Sequence, residues 1–148
     1  MTDTLSVAER SARMALVRGS GSKAERRLNQ ILSSALGRRR KLLTNCPQLV
    51  GRPDIVVPSL RLAVFVHGCF WHSCPNHGRI PKTREEFWLP KLVANVRRDY
   101  SVARMLRRGG WAVWTVWEHD LTAGRVNATS RRLTAAVRRL SLARGAHP

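Results

Sequence analysis

Apolar residues recur at helical spacing early in the chain. Ala24, Leu28, Ile31, Leu32 and Ala35 form one stripe behind Ser22-x-x-Glu25, a capping-box signature. Gly37 closes that helix, and the basic run Arg38-Arg39-Arg40-Lys41 follows. The pattern then turns β-rich. Residues 42–46 predict a short strand before Pro47, and Gly51-Arg52-Pro53 predicts a turn. Residues 54–57 predict a strand closed by Pro58, and residues 60–66 a second one. Thr83-x-x-Glu86 reads as another capping box, with a helical restart at Pro90. Leu92, Val96, Tyr100 and Ala103 continue that helix to Gly109-Gly110. Residues 111–117 predict a strand whose tryptophans, 111, 114 and 117, belong in or near the core. Leu133, Val137 and Leu140 mark a basic amphipathic helix over 129–144.

The order is helix, three strands, helix, strand and a further helix. That order implies an α/β fold with a mixed central sheet. The αβββαβ succession is also that of the restriction-endonuclease-like core, with the C-terminal helix as an extra element. Three segments follow: a mobile arm over 1–21 ending in Gly19-Ser20-Gly21, a core over 22–120, and a basic tail over 121–148.

Charge changes this picture from fold to partner. The 148 residues carry a net charge of +18 and a pI near 11.8, which calls for a polyanion, with nucleic acid ahead of an anionic membrane. No long apolar run or anchor motif favours a membrane, and the N-terminus lacks the apolar core of a signal peptide. Three cysteines do not make a disulfide framework, so the expected setting is reducing and cytoplasmic.

Candidate chemistry concentrates in residues 66–77, Val-His-Gly-Cys-Phe-Trp-His-Ser-Cys-Pro-Asn-His. Three of the five histidines and two of the three cysteines lie there. Cys69, Cys74 and His77 are zinc-type donors, and His119, after the last core strand, is a candidate fourth. Such a zinc would stiffen a loop with little regular structure. His67 and His72 suit general-base work on water, or else metal ligation or burial; spacing does not separate these roles. Phe70, Trp71 and Trp88 are stacking or wedge candidates, with ordinary core packing as the alternative. Asp54 is the only acid between Glu25 and Glu85 and heads an apolar strand, which suits Mg²⁺ as well as a turn. Glu25 is explained by capping and could also face Asp54.

These residues resemble the very-short-patch repair (Vsr) endonucleases. The resemblance rests on Ser11-Ala12-Arg13-Met14, Glu25-Arg26-Arg27-Leu28, Gly51-Arg52-Pro53-Asp54-Ile55-Val56-Val57 and His67-Gly68-Cys69-Phe70-Trp71-His72. It continues through Pro81-Lys82-Thr83-Arg84-Glu85-Glu86-Phe87-Trp88, Asn95-x-x-Arg98-Asp99, Gly110-Trp111-x-Val113 and Val116-Trp117-Glu118. It runs from about residue 11 to 120 and leaves out the tail.

The resemblance implies a monomeric, nucleoid-associated, Mg²⁺-dependent endonuclease. Its substrate would be double-stranded DNA with T:G mismatches left by 5-methylcytosine deamination, nicked 5′ to the thymine. A cognate cytosine-5 methyltransferase and mismatch-repair proteins would be its protein partners. By resemblance Asp54 holds Mg²⁺ with the Val66 carbonyl, His72 is the general base with Glu25 as its partner, and His67 is a second active-site histidine. Phe70, Trp71 and Trp88 would enter the DNA beside the mismatch, Met14 from the other groove, and Lys91 and Asn95 would contact the mismatched bases. Two departures stand out. In the zinc set, His119 occupies a position where the family pattern has cysteine, and Cys74 and His77 replace a different histidine and cysteine order after Cys69; Phe65-Val66-His67 stands in place of the acid-x-lysine of many restriction-like nucleases. Two alternatives are a restriction-type nuclease that needs no mismatch and a non-catalytic zinc-stabilised DNA-binding module.

Overall fold

Ser22 caps the first helix as its sequence requires. Its hydroxyl accepts from the Glu25 N–H at 3.1 Å, while the Glu25 carboxylate accepts from the Gly21 and Ser22 N–H groups at 2.8 and 3.3 Å. In this computed structural model, which describes residue 9 and residues 21–38 and 40–145, the helix α1 spans Lys23–Leu36. Met14 lies outside the described residues. The strands follow as β1 (Leu43–Thr44), β2 (Ile55–Val57) and β3 (Leu62–His67). Then come α2 (Glu85–Arg108), β4 (Ala112–Trp117) and α3 (Val126–Ala143). The sheet order is β1-β2-β3-β4, antiparallel up to β3 and parallel between β3 and β4. The mixed α/β architecture expected from element order is therefore present.

Strand alternation divides the sheet into two faces. Leu62, Val64 and Val116 pack with Leu28 and Leu32 of α1 and Leu133 and Val137 of α3. Burying each such aliphatic side chain is worth about 2 kcal/mol. The C-terminal helix thus shares the main core. Phe65 and His67 of β3, with Val113, Thr115 and Trp117 of β4, line the other face, opposite α2.

Two local expectations need correction. Thr83 does not cap α2: the capping position is Arg84, in the left-handed region, with no side-chain cap bond. Glu85 and Glu86 instead place negative charge at the helix's positive end. Nor does the helix restart at Pro90, which lies inside it. Proline removes one N–H, and the chain is exposed here, so water can satisfy the freed carbonyl. The stripe Leu92, Val96, Tyr100 and Ala103 also divides. Leu92 is buried, but Val96, Tyr100 and Ala103 line a cleft between α2 and the sheet.

Candidate active site and metal cluster

The turn before β2 sets one wall of the cleft. Gly51 has a φ of +78°, and a Cβ there would lie 2.3 Å from Val102 Cγ1 of α2. Only glycine lets the turn approach the helix this closely. Asp54 follows. Its Oδ2 accepts the Val66 N–H at 2.7 Å, so its side chain bridges to β3 beyond the last ladder pair. In extended backbone the N–H and C=O of one residue point to the same side of the strand. The Val66 carbonyl is therefore on the Asp54 side. Burial raises the Asp54 carboxyl above its ordinary value, and the nearby Glu25 charge raises it further. Glu25 and Asp54 also line one hollow with Asn29, Thr44 and Asn45. A half-buried carboxylate beside a strand-edge carbonyl offers oxygen donors that suit a hard cation.

His67 ends β3, and His72 returns over it after one tight turn. Their rings stack at 4.0 Å between centroids, 13° from parallel. Burial pushes His67 down to about 4, the neighbouring His72 adding to this and Asp99 opposing it. His67 is thus a neutral imidazole at physiological pH. His72 Nδ1 lies 2.5 Å from Asp99 Oδ2, on α2. An ionised carboxylate can only accept, so Nδ1 carries the proton and Nε2 keeps its lone pair. The partner of His72 is therefore Asp99. Glu25, expected in that role, spends its carboxylate oxygens on the backbone of its own cap. Asp99 is the one functional residue in this cluster that sequence reasoning left without a role. Its signal was isolation, since it is the only acid between Glu86 and Glu118.

The cleft has a volume of about 830 Å³. Asp54, His67, His72 and Asp99 share its lining with Arg52, Arg98 and Arg107. It joins a carboxylate, a base held by a second carboxylate, and guanidinium groups suited to phosphate.

The zinc-type donors meet on the other side of the same loop. The donor atoms of Cys69, Cys74, His77 and His119 all lie within 4.8 Å of one another. Cys69 Sγ is 3.1 Å and Cys74 Sγ 3.6 Å from His119 Nδ1, and His77 Nδ1 is 3.8 Å from Cys74 Sγ. Both thiols are buried, and neither is part of a disulfide. Burial pushes the Cys69 thiol up to about 11, with Cys74 and Glu118 adding to it. Two soft thiols and two imidazoles converging on one point fit a tetrahedral dication, which would also hold the thiols as thiolates.

The aromatics of the loop form a third group. Phe70, Trp71 and Trp88 pack edge to face, at 4.9, 5.3 and 5.9 Å between ring centroids. Phe70 and Trp71 are half-buried, whereas Trp88 is only 7% exposed and its indole N–H has no hydrogen-bond partner among the described residues. Trp88 thus backs the other two. Asn95 donates to the Trp71 carbonyl at 3.0 Å, and Lys91 Nζ sits 4.6 Å from the Phe87 ring centre.

The sequence model of the family described as DNA mismatch endonuclease Vsr matches residues 2–76. The chain belongs to the Vsr family. Among its relatives is the DNA mismatch endonuclease Vsr of Escherichia coli K12, 38% identical over 137 residues, covering 90% of this chain and 84% of that one. The type II nicking enzyme V.NaeI of Lentzea aerocolonigenes is 46% identical over 115 residues, 76% of this chain and 69% of the relative. The type II nicking enzyme V.XorIIP of Xanthomonas oryzae is 42% identical over 124 residues, 82% and 88% respectively. Membership of the Vsr family makes the chain a DNA endonuclease, a hydrolase with DNA as its substrate. Among the described residues no helix is long and apolar enough to cross a membrane.

Proposed function

We propose that this Vsr-family chain nicks one strand of duplex DNA 5′ to the thymine of a T:G mismatch, in a reaction that requires Mg²⁺. The observation that carries the hydrolytic part is the convergence of Asp54, His67 and the His72–Asp99 pair in one cleft. The mismatch part is supported by the E. coli relative, a DNA mismatch endonuclease.

Asp54 and the Val66 carbonyl would hold Mg²⁺. The chemistry such an ion supplies is polarisation of the scissile phosphodiester and neutralisation of charge in the transition state. Asp99 fixes the ring plane and tautomer of His72, which leaves Nε2 to take a proton from water. His67, neutral and stacked on His72, keeps a second positive charge away from that base. Arg52 and Arg98 line the route to the cleft and hold DNA phosphates. The leaving 3′ oxygen departs as the water oxygen bonds to phosphorus, so the product carries a 5′ phosphate.

Cys69, Cys74, His77 and His119 would hold a structural Zn²⁺ and so fix the loop that bears Phe70, Trp71 and His72. Phe70 and Trp71 serve as the wedge beside the mismatch, with Trp88 behind them and Lys91 and Asn95 at its flank. Met14, from the N-terminal arm, would act from the opposite groove. The working form is a monomer in the cytoplasm at the nucleoid. A cytosine-5 methyltransferase that makes the lesion precursor and mismatch-repair proteins are its expected functional partners.

A second reading has its own support. Most of the relatives, V.NaeI and V.XorIIP among them, are type II nicking enzymes, so nicking at a specific sequence without a mismatch is the alternative. Paired, T:G-mismatched and methylated duplexes with randomised flanks, incubated with Mg²⁺ or EDTA, separate the two. Nicking confined to T:G duplexes and abolished by EDTA is expected. Equal nicking of fully paired duplexes would replace the mismatch reading with the alternative.

A further inference from the structure

His119 stands on the 3₁₀ turn Glu118–Leu121, and that turn holds more than one ligand. Glu118 Oε1 accepts the Cys69 N–H at 2.7 Å, which anchors the turn to the loop at the first thiol. His119 presents Nδ1 to both thiols, and its Nε2 lies 3.4 Å from Asp120 Oδ1. Both side chains are largely buried, 13% and 17% exposed. Asp120 is itself held from α3. Arg132 donates to Oδ2 at 3.3 Å, and Thr129 Oγ1 donates to the Asp120 carbonyl at 2.8 Å. Thr122 Oγ1 donates to the His119 carbonyl at 2.8 Å, and Arg27 of α1 donates to the Leu121 carbonyl at 2.6 Å.

A neutral imidazole carries its proton on one nitrogen only. A carboxylate at ion-pair distance from Nε2 favours the form with the proton there through its negative charge. The lone pair is then on Nδ1, the atom aimed at the thiols. Metal-ligating histidines characteristically use a second group in this way, and losing it weakens metal binding about 10- to 100-fold. A cysteine at this position would need no such partner, since a thiolate has no tautomer and no ring plane.

We propose that Asp120 is a positioning residue for the metal cluster. It orients His119 as a ligand, and α3 is the frame that holds Asp120 through Arg132 and Thr129. The proposal rests on the zinc reading of the cluster. It gives the C-terminal helix a task in a site whose other ligands lie 40 or more residues away.

The test is zinc affinity of the full chain, measured by competition with a chromogenic chelator, and the visible spectrum of the Co²⁺-substituted protein. Asp120→Ala is expected to weaken zinc binding about 10- to 100-fold, and Asp120→Glu to restore part of the loss. His119→Cys provides the discriminating background, because Asp120→Ala should there change affinity by less than about twofold, the mark of an effect that acts through the imidazole. Undiminished affinity in Asp120→Ala would overturn the proposal. So would an equal loss in both backgrounds, which would mean that Asp120 supports only the local fold. Thermal unfolding of the metal-free proteins supplies a control, since a purely structural role lowers stability without zinc. If Asp120→Ala does not fold, the exposed Arg132→Gln takes its place, with a loss of a few-fold expected and no loss overturning the frame. Wild-type protein that binds no zinc would bring down the zinc reading itself, a result distinct from a variant-specific loss.

Discussion

Residues 67–77 serve two sites, and the two are built on opposite plans. His67 and His72 look into an open cleft with arginines on its walls, and their partner Asp99 comes from α2. Cys69, Cys74 and His77 turn the other way and close on His119, with both sulfurs buried. The first has donors with capacity to spare. The second has a full tetrahedral set of two thiols and two imidazoles. Open coordination belongs to catalysis and closed coordination to structure. If the second site holds zinc, alternating the two within one loop makes the rigidity of the second a condition for the geometry of the first.

That contrast can be broken from either side. The largest effect is expected at Asp54, the carboxylate that would hold the catalytic ion. Asp54→Ala should lower single-turnover nicking by at least about a thousandfold while mismatched duplex is still bound in a gel-shift assay. Near-normal nicking by this variant would remove Asp54 from the chemistry. On the closed side, Cys74→Ser takes away a nearly fully buried thiol donor. Metal analysis of purified wild-type protein should find about one zinc per chain, and the variant should lose it together with several degrees of thermal stability. Activity should fall as well, because His72 and Trp71 ride on the same loop. A variant that loses zinc yet nicks at the wild-type rate would show that the two sites are mechanically independent.

A smaller change falls on the open side alone. Asp99→Asn keeps the shape of the side chain but no longer selects the tautomer of His72. The turnover rate should drop by roughly a hundredfold, with KM for DNA nearly unchanged and zinc content intact. A rise in KM at constant turnover would instead make Asp99 a DNA-binding group.

The parts legible in the sequence were those with local causes. The first helix announced itself by its stripe and by Ser22 and Glu25, three residues apart. The four zinc-type donors were readable because ligand chemistry restricts the candidates so strongly; histidine and cysteine are few in this chain. What stayed hidden depends on pairings across the fold. Asp99 lies 27 residues from His72, and its isolation among the acids of the chain did not by itself name its partner. Asp120 likewise gains its meaning only when α3 folds back to meet it. Local signals also misled at α2. Thr83 and Pro90 both favour a helix start, but the helix begins at Glu85, and packing of Trp88 and Leu92 carries it straight through Pro90.

The smallest expected effect tests whether His67 belongs to the open site as a neutral ring. Its value in the fold is about 4, against an ordinary 6.5, because burial and His72 oppose its protonation. Between those limits the unfolded chain binds more protons than the folded one. Stability due to His67 is therefore fully present above pH 6.5 and is lost as pH falls toward 4. Acidification also acts on the rest of the molecule, so the measurement is a difference between two proteins. Urea unfolding of wild type and His67→Asn at pH 7.5 and pH 5 isolates it. Wild type should lose more stability on acidification than the variant, by on the order of 1 kcal/mol. Asp54, raised by burial, works in the opposite direction but is common to both proteins and cancels. Equal losses would mean that His67 already takes up a proton in the fold at pH 5, and the stacked pair would then be a charged partner of Asp99 and no longer a neutral neighbour of the base.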